Sequence, residues 1–73
     1  MYSSGLDIRI LFGKRLRKLR TERGIAQEKL AEVAGLDRTY ISKIEKGERN
    51  ISLDTIGKLA NALEIEVKEF FNP

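Results

Sequence analysis

Apolar side chains recur along the first third of the chain at the period of an amphipathic helix. Ile8, Phe12, Leu16 and Leu19 are separated by four, four and three residues, which predicts a helix over about residues 7–23 with this set inward and Gly24 closing it. Lys14, Arg15, Arg17 and Lys18 fall on its polar sides. A second, shorter helix over 27–34 turns Leu30 and Ala31 inward, and Gly35 supplies the left-handed residue that ends it. Asp37 is a good N-cap for a third helix, 38–46, whose buried stripe is Ile41 and Ile44 with Tyr40 beside them, and which stops at Gly47. Ser52 is placed to cap a fourth helix, 53–63, with Ile51 and Ile56 at the staple positions. Leu53, Ile56, Leu59, Ala60 and Leu63 form the predicted inner face of that helix. A last helix over 67–71 contributes Phe70, with Phe71 as a second candidate. No segment alternates as a strand does, so the expected fold is all-α: a compact five-helix bundle in one domain, residues 1–73.

The second and third helices are joined by too few residues to lie parallel, so they must cross steeply. A close crossing needs a small side chain at the contact, and Ala31 is placed for it; Gly35 makes the turn, and Leu30, Ile41 and Ile44 bury the seam. That spacing fits a helix-turn-helix, with an ordinary helical hairpin as the alternative. The outer face of the third helix is the unusual part. Arg38, Thr39, Ser42 and Lys43 leave it without apolar residues.

Composition narrows the chemistry. Seventy-three residues sustain one small core. The absence of cysteine and histidine removes disulfides and the commonest zinc ligand sets, so stability must come from helix packing or oligomerisation. No stretch reads as a signal peptide or as the run of about 18 apolar residues a membrane span needs, which makes a cytoplasmic location the expectation. Net charge is +3, unevenly spread: residues 1–23 carry seven basic and two acidic side chains, and residues 51–73 carry two basic and four acidic ones. A positive end suits a polyanionic partner, although a basic helix face is often merely solvated. An enzyme without histidine or cysteine would need a carboxylate pair or an activated lysine, and Glu64, Glu66 and Glu69 read instead as a solvated acidic flank.

The stretch AQEKLAEVAGLDRTYISKIEKGERNISLDTIGKLANALEI resembles the Cro/repressor-like, or XRE-type, helix-turn-helix family, and the resemblance runs from about Phe12 to Phe71. It implies the lambda-repressor-like DNA-binding fold, with helices two and three as the helix-turn-helix and helix three as the recognition helix. Within that family GLDRTYIS.IE.G.RN is most similar to the controller proteins of restriction-modification systems, small dimeric regulators that bind palindromic operators beside their own genes. The implied function is sequence-specific transcriptional regulation on double-stranded DNA. An antitoxin, with a protein partner held through its acidic end, is the alternative on the same scaffold.

An α-helix fits the major groove, where its N-terminal residues reach base edges. Arg38 is suited to a bidentate pair with guanine, Thr39 to a base edge or a thymine methyl, and Ser42, Lys43 and Arg49 complete the candidate base-contacting set. Gln27, Tyr40 and Lys46 are the candidate phosphate contacts, which set register rather than sequence preference. Solvation, half-buried packing and complementing a helix end are the competing roles for these three. In the family, the acid at the position of Glu45 pairs with an arginine of helix one, here Arg20, so these two are expected as a structural ion pair. Where the family places a capping side chain before helix two, this chain has Ala26, a cap worth about 1 kcal/mol forgone.

A homodimer is expected because one short helix reads too few base pairs, and two-fold symmetry sets the second copy about 34 to 36 Å along the duplex. Ile65, Val67 and Phe71 are its candidate interface, with core burial as the equal alternative. RNA polymerase is a further candidate partner, through an acidic patch such as Glu28 and Glu32. The sequence suggests no cofactor, metal site or small-molecule pocket.

Overall fold

The computed structural model describes the backbone of residues 5–72 and the side chains of residues 8–72. Its longest element is α1 (Gly5–Glu22), which buries Phe12, Leu16 and Leu19 as the periodicity requires. Two short helices follow. α2 (Gln27–Ala34) ends at Gly35, whose φ of 71° reverses the chain and lets the Leu36 amide reach back to the Ala31 carbonyl at 2.8 Å. α3 (Arg38–Glu45) starts at Asp37, whose carboxylate accepts from the Thr39 amide at 2.8 Å. α4 (Leu53–Leu63) starts at Ser52, whose hydroxyl accepts from the Thr55 amide at 3.1 Å. At its other end Glu64 adopts the left-handed conformation (φ 59°), and the Ile65 amide bonds to the Ala60 carbonyl. That turn folds Ile65 back against the core.

The fifth helix expected over 67–71 is instead a single 3-10 turn, Val67–Phe70, so the described chain has four α-helices and not five. Its bonds run from the Glu69 amide to the Glu66 carbonyl and from the Phe71 amide to the Lys68 carbonyl, three residues back in each case. Four residues are too few to repay α-helix nucleation. Tertiary contacts hold the turn instead: Phe70 is buried with its ring centroid 4.9 Å from that of Phe12, and the Arg15 Nε donates to the Glu69 carbonyl at 2.8 Å.

The core is one cluster to which every element contributes, with Leu16, Leu30, Ile41, Ile44 and Leu59 at its centre. α1 packs on α3 and on the 3-10 turn, while α2 packs on α3 and α4. Two residues assigned inward are not. Ile8 is half exposed, because it lies at the outer end and at the edge of the apolar stripe of α1. Leu53 is 85% exposed, and Thr55, four residues before Leu59, takes the inward place in the first turn of α4. Where α1 crosses the end of α3 the contact is backbone to backbone. A Cβ on Gly13 would lie 2.8 Å from the Glu45 carbonyl oxygen and closer still to that of Ile44.

Candidate nucleic-acid interface

The outward side of α3 follows from its inward one. Ile41 and Ile44 are buried, and at 100° per residue the opposite side carries Thr39, Lys43 and Lys46, flanked by Ser42 and Arg38 on one edge and Tyr40 on the other. Arg38, Thr39, Lys43 and Lys46 are exposed; Ser42 and Tyr40 are half-buried. Among the described residues the ion pairs are Arg20–Glu45 and Lys29–Glu32, so the four cations Arg38, Lys43, Lys46 and Arg49 take part in neither. Lysine and arginine side chains outside either ion pair, around a helix that presents no apolar surface there, form a face suited to a polyanion.

Arg49 lies beyond α3 in the loop that follows Gly47, and its guanidinium sits 5.0 Å from the centre of the Tyr40 ring. The stack brings two residues assigned to different contacts, one to bases and one to phosphate, into a single cation–π unit at one edge of the face. No local pattern signals it, since eight residues and a turn separate the pair.

Behind that face is a buried polar knot. Arg20 is 8% exposed. Its Nε donates to Glu45 Oε2 at 2.6 Å and its Nη2 to Glu45 Oε1 at 3.0 Å, a two-point clamp between α1 and α3, while Nη1 donates to the Ile25 carbonyl at 2.7 Å. Gln27, the first residue of α2, joins the same carboxylate: its Nε2 donates to Glu45 Oε1 at 3.0 Å. Glu45 thus holds helices one, two and three at one point. Ahead of Gln27, Ala26 provides no side-chain cap, which leaves the first amides of α2 without an acceptor from that residue.

Of the residues considered for self-association, Ile65 packs partly against the core, whereas Val67 and Phe71 are exposed. Phe71 lines a groove of about 720 Å³ between α1 and the 3-10 turn, together with Ile8, Leu11, Phe12, Lys14 and Lys18. Glu28 and Glu32 are exposed on α2, the latter 3.5 Å from Lys29. Among the described residues no group of three or more acidic side chains is disposed to hold a metal ion, and no helix is long and apolar enough to cross a membrane.

Comparison with known proteins agrees with the helix-turn-helix fold. A helix-turn-helix family profile matches residues 16–70. The control protein C.BamHI of Bacillus amyloliquefaciens is 46% identical over 67 residues, spanning 90% of this chain and 83% of that protein. The control protein C.MunI of a Mycoplasma species is also 46% identical over 67 residues, spanning 90% of each. Among solved structures, the restriction-modification controller protein C.AhdI from Aeromonas hydrophila superposes with a TM-score of 0.87 at 52% identity, covering 89% of this chain and 98% of that one. The chain belongs to the helix-turn-helix family, and its relatives there include the restriction-modification control proteins.

Proposed function

We propose that this protein is a sequence-specific regulator of transcription that binds double-stranded DNA as a homodimer and controls a restriction-modification operon, its own gene included. The observation that carries the reading is the outer face of α3, where Arg38, Thr39 and Lys43 stand in solvent with no structural task, in a chain 52% identical to a solved restriction-modification controller protein. The N-terminal half of α3 enters the major groove. Arg38 and Thr39 read base edges, with Ser42 and Lys43 following one turn on and Arg49 reaching in from the loop. Gln27, Tyr40 and Lys46 hold the phosphates on either side and set the register. The uncapped first turn of α2 favours an anion at its amides, which suits a phosphate next to Gln27.

One recognition helix spans too little sequence for an operator, so two copies related by a two-fold axis divide a palindrome between them. Val67 and Phe71 supply exposed apolar surface for that contact, with the partly buried Ile65 as the third candidate. RNA polymerase is a partner for the exposed Glu28 and Glu32 on α2. Selection of bound sequences from a random duplex library at moderate salt tests the whole reading. A two-fold symmetric motif with half-sites about one turn of DNA apart is the expected result, and enrichment of nothing, at a salt where nonspecific binding is weak, refutes it. Sedimentation of the protein and of Phe71→Ser tests the dimer: the variant should dissociate at a higher concentration, and an unchanged profile removes Phe71 from the interface.

A further inference from the structure

The acceptor Glu45 Oε1 is shared: Arg20 Nη2 and Gln27 Nε2 each lie 3.0 Å from it. An ion pair that served only to join α1 to α3 would have no need of a third donor from α2. We infer that Glu45 is a positioning residue for DNA binding, which fixes the Gln27 amide so that a donor is offered to the phosphate backbone. The inference rests on the placement of Gln27 at a phosphate. A primary amide has two N–H donors on nitrogen and one acceptor oxygen. With nitrogen turned to the Glu45 carboxylate, the second N–H stays available for another acceptor. The flipped amide would set its oxygen against the carboxylate, and both are acceptors only, so the flip is disfavoured.

Phosphate oxygens also only accept, so the orientation Glu45 selects is the one a phosphate requires. Arg20 makes this compatible with the local charge. Its two-point clamp neutralises the carboxylate, whose side chain is 5% exposed, so that Glu45 orients the amide without presenting a net negative charge to the duplex. Because Gln27 opens α2 and Glu45 closes α3, the same contact sets the phosphate clamp and the recognition helix as one rigid unit.

The test compares Gln27→Ala, the paired substitution Arg20→Met with Glu45→Met, and all three together, on the selected operator and on a scrambled duplex of equal length. The paired substitution leaves net charge unchanged, and replacing a buried ion pair by apolar side chains of similar volume is often neutral or stabilising, so thermal stability should be retained. Gln27→Ala should weaken binding to both duplexes by about tenfold for each subunit, the loss of one charge-assisted hydrogen bond per half-site. The paired variant should show a loss of the same size, and Gln27→Ala should add little to it. If the paired variant binds both duplexes like the parent while Gln27→Ala still costs about tenfold per subunit, Glu45 has no positioning role and only this inference fails. If Gln27→Ala by itself changes neither affinity, the phosphate assignment fails and the inference with it. Should the paired variant not fold, the parent protein decides by NMR: of the two Gln27 Nε2 protons, the one on Glu45 should keep its shift when duplex is added while the other moves. Equal movement of both overturns the proposal.

Discussion

Replacing glycine by alanine should have opposite effects at two helical positions of this chain. Gly13 lies in the middle of α1 and Gly57 within α4, and alanine is the better helix former by about 1 kcal/mol in each case. At Gly57 a Cβ would meet nothing within 4 Å, so the intrinsic preference is realised and Gly57→Ala should stabilise by about 0.5 to 1 kcal/mol. At Gly13 the same Cβ would sit 2.8 Å from the Glu45 carbonyl oxygen and still nearer that of Ile44, where ordinary contacts begin near 3.4 Å. The obstacles are main-chain atoms, which have no rotamer to change. The Ile44 carbonyl is also committed, since it accepts from the Gly47 amide at 3.0 Å in the turn that ends α3.

Relief therefore requires α1 and the end of α3 to separate by about 1 Å, which loosens the buried contacts on either side. Overpacking of this kind costs about 1 to 3 kcal/mol, and a backbone clash belongs at the upper end. After the helix-propensity gain is subtracted, Gly13→Ala should destabilise by about 1 to 2 kcal/mol. For a domain of this size the midpoint should fall by about 4 to 15 °C, while Gly57→Ala should raise it by a few degrees. Thermal unfolding followed by circular dichroism at fixed protein concentration measures both. A Gly13→Ala midpoint at or above that of the parent would refute the argument, because it would mean that the crossing of α1 over α3 yields to a methyl group at no cost.

Three further outcomes are expected. Glu45→Ala leaves Arg20 buried without its carboxylate and should destabilise by about 3 to 5 kcal/mol, seen as a large loss in denaturant midpoint; a loss under 1 kcal/mol would mean that water reaches the site. Ala26→Ser should add about 1 kcal/mol, because Ala26 already has the extended conformation of an N-cap (φ −73°, ψ 157°) and lacks only the oxygen; no gain in thermal midpoint would mean that the first amides of α2 are satisfied otherwise. Arg38→Ala should relax base preference by about 1 to 3 kcal/mol at each of one symmetric pair of operator positions, whereas Lys46→Ala should weaken all duplexes alike and reduce the salt slope by about one ion per subunit. Binding isotherms across a salt series separate these two, and equal effects from both would remove Arg38 from base reading.

Much of this molecule is written locally. The positions of the four α-helices, the reversal at Gly35 and the caps at Asp37 and Ser52 depend on residues within one or two turns of each other, and such short-range preferences act in any context. So does the character of the outer face of α3, since Ile41 and Ile44 settle which side is inward and the remaining residues occupy the other. The tertiary structure decided what depends on a neighbour distant in sequence. Periodicity says which side of a helix is apolar but not how far along it another element extends, which is why Ile8 and Leu53 stand in solvent while Thr55 is buried. Composition gives Gly13 no special standing; the crossing of α1 over the end of α3 does. The last segment has apolar residues suited to a helix, but four residues cannot sustain one, and contacts with Phe12 and Arg15 hold it as a 3-10 turn. Gln27 and Glu45 are eighteen residues apart, and their hydrogen bond exists only because three helices meet at one buried carboxylate. Side-chain partners of that kind are chosen by packing, whose geometry no single stretch of the chain contains.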